Sequence, residues 1–559
     1  MKKVILLTVA VAMFIALPLT SANAVEVFSA ETELRQYNPE KSYGGYFMPS
    51  NSRRGTNYLL DMTGNVVHEW DNNTGPTDDD RRQGATAQLL PNGNLGCMGR
   101  LTDWDSNYVW TFNPSTDANR PDIKMHHDTR WIWNKKLNAY TNLIVCNRTT
   151  TQDEIVAAGG DPSVDYSSRL DRMDVLIEVN QNKEIIWEWE FLDHTCQSQN
   201  PTWPNYVSDV ALAPGKCDIF WKTDQSQPAG LAGIVRDWHH VNSVDYNEDL
   251  DVIAVNAKHF STFFVIDHGE TFVSTTDWAA NRAAAAGPDG DFIYRFGNPS
   301  AYNQGLAPSF RNEGEQQIYG AHNIQWIRDY HWERPHPEAG DNWPDPSTVF
   351  AETMPGAGNF LIYDNGCYNP TVTRSRVREI NPFLNDAGVN TGWFVNPPDA
   401  GYTGTVGATQ TSKQIVWSYE SRNPNSFYSR HISGAQRLPN GNTSINSGTQ
   451  GHMFEVTPDG EVVWEYLYPG VAGPDAKTIR TDSDSISMFR HYRYGTDYPG
   501  LAGKDLSPID TLTGRLPRQV GEDQTYPTSV PITGWGIPPD TSSEAGGGVG
   551  TGGSGGTGY

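Results

Sequence analysis

The chain has 559 residues and a formal net charge of −25 at pH 7, so it is long enough for several domains or for one large domain with insertions. The negative charge argues against nucleic acid and anionic membrane surfaces as partners, because long-range repulsion would oppose the encounter. After the first 24 residues, no stretch reaches the ~18 consecutive apolar residues that a membrane-spanning helix needs. We therefore expect no nucleic-acid partner and no membrane insertion, while the sequence leaves open whether the chain forms a homo-oligomer.

The N-terminus has the pattern of an export signal. Lys2 and Lys3 supply the positive charge, residues 4–19 form the apolar run, and Ala22-Asn23-Ala24 is the small-residue cleavage site. These are the three parts of a secretory signal peptide. We therefore expect a protein that is periplasmic or secreted.

The sequence predicts four regions along the chain. The last region is rich in Gly, Ser and Thr, and it contains too little apolar surface to order itself. The predicted regions are a signal peptide at 1–24, an N-terminal extension at 25–54, the main domain with long insertions at 55–537 and a low-complexity tail at 538–559.

Five cysteines in an exported chain predict disulfide bonds with one thiol left over. Cys196 and Cys217 flank a Pro- and Asn-rich insertion and form the first predicted pair. Cys97 and Cys146 lie in adjacent strand-like segments and form the second, which leaves Cys367 unpaired. There is no CxxCH motif for c-type haem and no CxxC motif for zinc, so the cysteines imply no cofactor.

Strand and turn signals dominate the main domain. Segment 57–72 is two apolar runs around a Thr-Gly-Asn turn, which is typical of a β-hairpin. Segments 87–100 and 435–448 share the core LPNGN, whose Asn-Gly step favours a tight turn. Segments 175–191 and 453–468 repeat one plan, in which an apolar strand and a polar turn lead to a second strand containing tryptophan. AANRAAAAG is the one clear helical candidate, and the sequence therefore predicts an all-β fold.

Four segments open on histidine and then continue as a strand pattern. They are HHDTRWIW from His126, HHVNSVDYN from His239, HNIQWI from His322 and HISGAQRLPNGN from His431. A repeat of strands and turns at intervals of several tens of residues is typical of a β-propeller, here with about six blades. If the four openings occupy the same strand of successive blades, their imidazoles point towards the mouth of the central channel.

Six segments resemble those of the bacterial arylsulfate sulfotransferases and occur in that family's order. They are DWHHVNSVDYNEDLDVIAVNAKHFSTFFVIDHG (237–269), YRFGNPSAY (294–302), YGAHNIQWI (319–327), NFLIYDNG (359–366), ISGAQRLPNGN (432–442) and FRHYRYGTDYPGLAGKDL (489–506). The resemblance covers roughly 55–506. It implies a periplasmic propeller of six blades that moves a sulfuryl group from a phenolic sulfate ester to a phenol, without a nucleotide sulfate donor.

The resemblance also implies a mechanism. A histidine ring nitrogen attacks sulfur and holds the group as a sulfohistidine. A second histidine gives a proton to the departing phenolate and later takes one from the acceptor, while a cation neutralises the equatorial oxygens. The expected partners are a small aromatic sulfate ester and a phenol, and the scheme needs no metal or redox cofactor.

Four histidines are candidates for these roles. His240, which precedes VNSVDYN, and His322 in GAHNIQWI match channel-histidine motifs and are expected to serve as proton donor and oxygen clamp. His127 precedes Asp128, whose carboxylate would fix its tautomer. His431 is the predicted nucleophile, because insertions interrupt its neighbouring segments least and rigid placement favours attack.

Two arginines are candidates for the cation. Arg374 and Arg376 follow the segment YDNG, and strand alternation puts both on the same face. The spacing therefore does not choose between them.

Two other functions compete with sulfuryl transfer. Three or four imidazoles around an axis would also suit a metal-binding propeller, with zinc or copper at ~2.0 Å from each nitrogen. A secreted propeller that binds a ligand without catalysis is the second alternative, since this fold does not determine function.

Overall fold

The fold comes from a computed structural model that describes residues 32–51, 56–71, 86–167, 172–221, 237–305, 314–328, 336, 354–369, 374–396, 412–421, 427–469 and 487–512. Within these ranges the strands form six antiparallel sheets of four or five strands, together with one short parallel pair. The sheets are the blades of a six-bladed β-propeller, which confirms the predicted fold class. The predicted signal peptide and tail lie outside the described residues.

The first half of the chain supplies three blades. It opens with β1 (Glu33–Tyr37), which joins the last blade. Blade 1 contains β2 (Tyr46–Asn51), β3 (Thr56–Asp61) and β4 (Asn65–Asp71). Blade 2 contains β5 (Gln88–Leu89), β6 (Leu95–Cys97), β7 (Arg100–Thr102) and β8 (Tyr108–Thr111). Blade 3 contains β9 (Ile123–Asn134), β10 (Ala139–Arg148), β11 (Met173–Val179) and β12 (Ile185–Glu190).

A parallel pair separates these blades from the next three. The pair is β13 (Thr195–Cys196) with β14 (Cys217–Asp218). Blade 4 contains β15 (Val241–Asn247), β16 (Val252–Ala257), β17 (Thr262–Asp267) and β18 (Phe292–Phe296). Blade 5 contains β19 (His322–Trp326), β20 (Phe360–Asp364), β21 (Arg376–Ile380) and β22 (Ile415–Tyr419). Blade 6 contains β23 (Gly434–Arg437), β24 (Thr443–Ser447), β25 (His452–Val456) and β26 (Val462–Leu467).

The two ends of the chain close the ring. Strands β27 (Met488–Tyr494) and β28 (Asp510–Thr511) return to blade 1, where β27 becomes the inner strand beside β2 and β28 the outer strand beside β4. Strand β1 pairs with β26 on the outside of blade 6. Residues assigned from sequence to an N-terminal extension therefore belong to two blades, and pairing between distant parts of the chain holds the propeller closed.

Helices are few and short. The described residues contain α1 (Pro114–Asp117), α2 (Gln152–Ala157), α3 (His268–Thr271) and α4 (Trp278–Ala285). Helix α4 covers the helical candidate in the sequence, and the Asp277 side chain caps it by accepting from the Ala280 N–H. No helix in this part of the chain is long and apolar enough to cross a membrane.

Tryptophans on the outer strands of blades 2, 3, 5 and 6 tie each of these blades to the next. The Trp189 Nε1–H of blade 3 donates to the Gly290 carbonyl of blade 4 at 2.8 Å. The Trp464 Nε1–H of blade 6 donates to the Met62 carbonyl of blade 1 at 2.9 Å. Further tryptophan donors of the same kind are Trp110 on blade 2, Trp187 on blade 3 and Trp417 on blade 5. These five tryptophans are thus packing elements whose single polar atom is satisfied across the blade interface.

The two LPNGN segments adopt the same turn. Gly93 N–H donates to the Leu90 carbonyl, and Gly441 N–H donates to the Leu438 carbonyl, each at 2.9 Å. Only the glycine of each Asn-Gly step has a positive φ, +86° in one copy and +85° in the other. The turn therefore needs one left-handed residue and not two.

The predicted disulfide bonds are not formed, since all five cysteines are free thiols. In the parallel pair β13–β14, Thr195 lies opposite Cys217 and Cys196 lies opposite Asp218. Successive side chains point to opposite faces of a strand, so Cys196 and Cys217 face away from each other. Cys97 and Cys146 pack in different core clusters, on blades 2 and 3.

Candidate functional site

The inner strands of five blades stand side by side around the axis, in the order β9, β15, β19, β23 and β27. Four of these strands carry a left-handed residue in or just before them: His127 (φ 54°), His240 (φ 52°), Asn323 (φ 55°) and Ile432 (φ 53°). A left-handed backbone costs a residue with a side chain roughly 1–2 kcal/mol. The same costly conformation therefore recurs at the same place in successive blades, and two of the predicted histidines adopt it.

Four histidines of blades 3 and 4 are in ring contact. The rings of His127 and His240 meet edge to face with their centroids 4.6 Å apart, and His259 stacks on His240 at the same separation. His126 Nδ1 and His127 Nδ1 are 2.6 Å apart. Burial, followed by the neighbouring imidazoles of His240 and His126, lowers the pKa of His127 well below its ordinary value. Burial and the charge of His240 likewise lower the pKa of His259, to about 3, so both imidazoles are neutral at pH 7.

Asp237 is the carboxylate that serves this cluster. Its Oδ2 accepts from His240 Nδ1 at 2.7 Å. Burial alone would raise the pKa of Asp237, but the neighbouring imidazoles of His240, His259 and His127 hold it well below its usual range. Asp237 is therefore ionised and keeps a proton on His240 Nδ1.

Asp128 has a different role from the one expected in the sequence. Its carboxylate accepts from both terminal nitrogens of Arg490, at 2.8 and 2.5 Å, and from the Val244 N–H at 2.8 Å. These contacts join blades 1, 3 and 4 through their inner strands. Asp128 thus stabilises the ring of blades, and the ring nitrogen that contacts His127 comes from His126.

His322 is held in one tautomer. Its Nδ1 lies 2.7 Å from Asn365 Oδ1, and Asn365 Nδ2 donates to the carbonyls of Ser429 and Ile432 at 2.6 and 3.0 Å. The amide nitrogen is thereby assigned, so His322 Nδ1 must be the donor and Nε2 carries a lone pair. Burial, then the charge of Lys258, lowers the pKa of His322 well below its ordinary value.

The structure brings His322 near the other candidates electrostatically. Interaction with the neighbouring imidazoles of His240 and His431 lowers the pKa of His322, and interaction with His322 lowers the pKa of His127. His431 precedes the left-handed residue Ile432, and its carbonyl accepts from Ser429 Oγ at 2.8 Å. All four predicted histidines therefore belong to one electrostatic cluster.

One buried cation beside this cluster is a lysine. Lys258 and His259 lie in the 3₁₀ turn between β16 and β17, and Lys258 is 7% exposed. Its Nζ lies 5.8 Å from the centroid of the Tyr368 ring. Among the residues that the structure describes, no ion pair neutralises Lys258. Its charge therefore acts on the imidazoles of His322 and His259, whose pKa values it lowers.

The two predicted arginines lie at Glu420. Arg374 Nε and Arg376 Nε are 3.3 and 3.2 Å from the same Glu420 Oε2, and Arg376 Nη1 is also 3.8 Å from Asp364. Their positive charges are thus shared with carboxylates of blade 5, unlike the charge of Lys258.

Four residues of the site were not predicted from the sequence, although blade topology indicates them: Lys258, His259, Asp237 and Asn365. In an antiparallel blade, the chain enters the first strand and turns from the second to the third at the same end of the sheet. Asp237 precedes β15 and Lys258 follows β16, while Asn365 follows β20. Polar residues in the second-to-third turns were therefore candidates alongside the histidines that open the inner strands.

Comparison with solved structures gives only remote similarity. A protein of unknown function from Bacteroides caccae matches at 9% identity and a TM-score of 0.34, with 76% of this chain and 93% of that chain covered. Hsv2 from Kluyveromyces lactis matches at 10% identity and a TM-score of 0.28, with 78% and 98% covered.

Comparison with protein families is more informative. No curated protein matches the chain. The family described as Arylsulfotransferase (ASST) matches residues 32–330, which include strands β1–β19 and the cluster formed by His127, Asp237, His240 and His259. The chain therefore belongs to the arylsulfotransferase (ASST) family.

Proposed function

We propose that this protein transfers a sulfuryl group from an aryl sulfate ester to a phenol through a covalent sulfohistidine. Family membership supports the substrate class. The observation that carries the proposal is the ionised Asp237, 2.7 Å from His240 Nδ1, inside a group of neutral imidazoles. A carboxylate that holds one ring nitrogen in its protonated form leaves the other nitrogen, Nε2, to exchange protons with a substrate.

The proposed reaction has two steps. A ring nitrogen of His431 forms a bond to sulfur while the bond from sulfur to the aryl oxygen breaks, and the departing phenolate takes a proton from His240 Nε2. The acceptor phenol then returns a proton to His240 as its oxygen attacks sulfur, and the bond from sulfur to His431 breaks. No net proton or electron is consumed.

His322 is the second candidate for the nucleophile. Asn365 fixes its ring and leaves a lone pair on Nε2, which is the form that attacks sulfur. The same lone pair would repel the anionic oxygens of a sulfuryl group, so His322 suits attack better than the role of oxygen clamp expected from sequence.

Lys258 is the proposed counter-charge for the sulfuryl oxygens. In a chain of net charge −25, an anionic substrate depends on a cation placed within the site. Lys258 is buried beside the imidazoles, whereas Arg374 and Arg376 lie at Glu420. A fixed cation that faces developing negative charge is commonly the largest electrostatic contribution to catalysis.

The test is turnover followed by identification of the modified residue. Purified protein is mixed with 4-nitrophenyl sulfate and phenol, and the release of nitrophenol is followed by absorbance. Digests kept away from acid after brief exposure to the sulfate ester alone should show an adduct of roughly 80 Da, the covalent intermediate of nucleophilic catalysis, on His431. An adduct on His322 would instead identify His322 as the nucleophile.

A matched control uses a histidine outside the cluster. His452 Nε2 lies 2.8 Å from Glu465 on blade 6, so His452→Ala removes a buried imidazole with a carboxylate partner and should retain turnover. Absence of turnover with every aryl sulfate tried would overturn the proposal and favour a secreted binding protein. The exported location predicted by the signal peptide is part of the proposal, and cell fractionation tests it.

A further inference from the structure

Three side chains near the channel have the arrangement of a metal-binding set. Asp237, His240 and His259 each offer one ligand atom, and these three atoms all lie within 4.8 Å of one another. Asp237 and His240 come from the segment that enters β15, and His259 comes from the turn after β16. Two antiparallel segments of blade 4 thus hold the set, with backbone hydrogen bonds between them from Lys258 N–H to the His240 carbonyl and from His259 N–H to the His239 carbonyl.

The hydrogen bonds of His259 prepare it as a ligand. Its Nδ1 lies 2.8 Å from the carbonyl oxygen of Asp237, an atom that can only accept, so Nδ1 carries the proton and Nε2 the lone pair. Metal-binding histidines commonly donate their second ring N–H to a carbonyl or carboxylate, which fixes the tautomer and orients the ring. His259 has this contact already.

His240 contributes an independent observation. Its side chain is 7% exposed, and its Nε2 is buried without a hydrogen-bond partner among the residues that the structure describes. Leaving such an atom unsatisfied costs about 1–3 kcal/mol. A ligand that takes up its lone pair or its proton would recover that free energy, so the atom points to an occupant of the cluster.

We propose that Asp237, His240 and His259 bind a transition-metal dication of the zinc or copper(II) type. Two imidazoles and one carboxylate are the ligand set of many zinc sites with an open fourth position, and imidazole nitrogen favours zinc and copper over magnesium or calcium. In a tetrahedral site with bonds of ~2.0–2.1 Å, ligand atoms lie ~3.3 Å apart. The set therefore has to contract by no more than about 1.5 Å between its most distant atoms, and the hydrogen bond between His240 Nδ1 and Asp237 Oδ2 is exchanged for bonds to the metal.

The surroundings set limits on this site. Arg172 Nη1 lies 3.8 Å from Asp237 Oδ2, and Lys258 is adjacent to His259, so two positive charges oppose the dication. The ring of His127, whose centroid lies 4.6 Å from that of His240, is the imidazole beside the set that is available as a fourth ligand. The carboxylate and the neutral imidazole of His259 are then the ligands on which affinity depends most.

The metal site shares His240 with the proposed sulfuryl transfer. The inference rests on that proposed function only where it predicts that a bound metal changes the rate of turnover. A metal on His240 withdraws the ring from proton exchange, so zinc should suppress turnover and a chelator should restore it. Binding itself requires no turnover.

The experiment measures metal binding to the full-length protein after treatment with a chelator. Titration calorimetry with zinc chloride should show one equivalent bound, and His259→Ala should weaken the affinity by at least 10-fold, a loss typical of a perturbed metal site. Asp237→Asn, which keeps the side-chain volume, should weaken it similarly. Copper(II) bound in place of zinc should show nitrogen coupling in its electron paramagnetic resonance spectrum, reduced in His259→Ala.

His452→Ala is the control, because its imidazole and Glu465 form a histidine–carboxylate pair that belongs to no group of three metal-capable side chains within the described part of the chain. Zinc affinity that is absent in the wild type, or unchanged in both Asp237→Asn and His259→Ala with native melting temperatures, would overturn the inference. Turnover without metal binding would refute the metal site alone. Metal binding by a protein that shows no turnover even after the metal has been removed by a chelator would refute the proposed transferase alone.

Discussion

Replacing Asp237 by asparagine should remove proton exchange while keeping the shape of the site. The carboxylate lies 2.7 Å from His240 Nδ1, and the substitution removes its charge without changing side-chain volume. Two unit charges about 4 Å apart at an effective dielectric constant of about 20 interact by about 4 kcal/mol. When His240 becomes an imidazolium in the reaction, Asp237→Asn forfeits an interaction of this size, which corresponds to a rate lower by about 10³-fold.

The assay is the release of nitrophenol from 4-nitrophenyl sulfate, with kcat and KM measured separately. The loss should fall on kcat, within the range of about 10²–10⁴-fold expected for general acid–base catalysis. Glu465→Gln is the matched control, since Glu465 accepts from His452 at 2.8 Å on the outer side of blade 6, and it should leave kcat within a few-fold of wild type. A kcat for Asp237→Asn within three-fold of wild type (roughly 0.6 kcal/mol), with an unchanged melting temperature, would refute the assigned role.

Three further predictions concern charge and stability. Lys258→Met should lower kcat by about 10²-fold or more through loss of the cation that faces the sulfuryl oxygens, with partial recovery in Lys258→Arg; equal kcat values would contradict it. Trp464→Phe leaves the buried Met62 carbonyl without its donor and should cost about 1–3 kcal/mol in urea unfolding, so an unchanged midpoint would count against the tryptophan ties. Although burial lowers the pKa of His268, Glu178 and a second carboxylate raise it from 6.5 to about 9. Its contribution to stability should therefore be complete below pH 6.5 and disappear as the pH rises through about 9, which melting curves of wild type and His268→Gln would show by converging.

Local patterns were sufficient to predict the fold. The strand-turn-strand segments and the LPNGN turns depend on neighbouring residues, because alternation and a left-handed glycine are properties of a few positions. The histidine openings fall in or beside the inner strands β9, β15, β19 and β23 for the same reason. The histidine-led segments that repeat along the sequence thus correspond to inner strands that repeat from blade to blade.

The partners of individual side chains could not be predicted as well from the sequence, because they depend on how the blades align. Asp128 follows His127 in the chain, but its carboxylate faces Arg490 from the opposite end of the sequence. Cys196 and Cys217 flank one insertion, yet the parallel register turns them to opposite faces. Proximity in the sequence therefore predicted the wrong contacts. The strand register decides which way the two cysteines face, and closure of the ring of blades brings Arg490 to Asp128.

The backbone of the inner strands explains how several imidazoles come to lie together. The left-handed conformation of His127 and His240 costs roughly 1–2 kcal/mol at each residue, and it persists only where surrounding structure fixes it. That support comes from the closed ring, in which β27 pairs with β2 and Arg490 of β27 holds Asp128 beside His127. The strand that closes the propeller therefore also fixes the histidine cluster. Loosening it, for example by Arg490→Met, should disturb the site as well as the fold, because one set of contacts serves both.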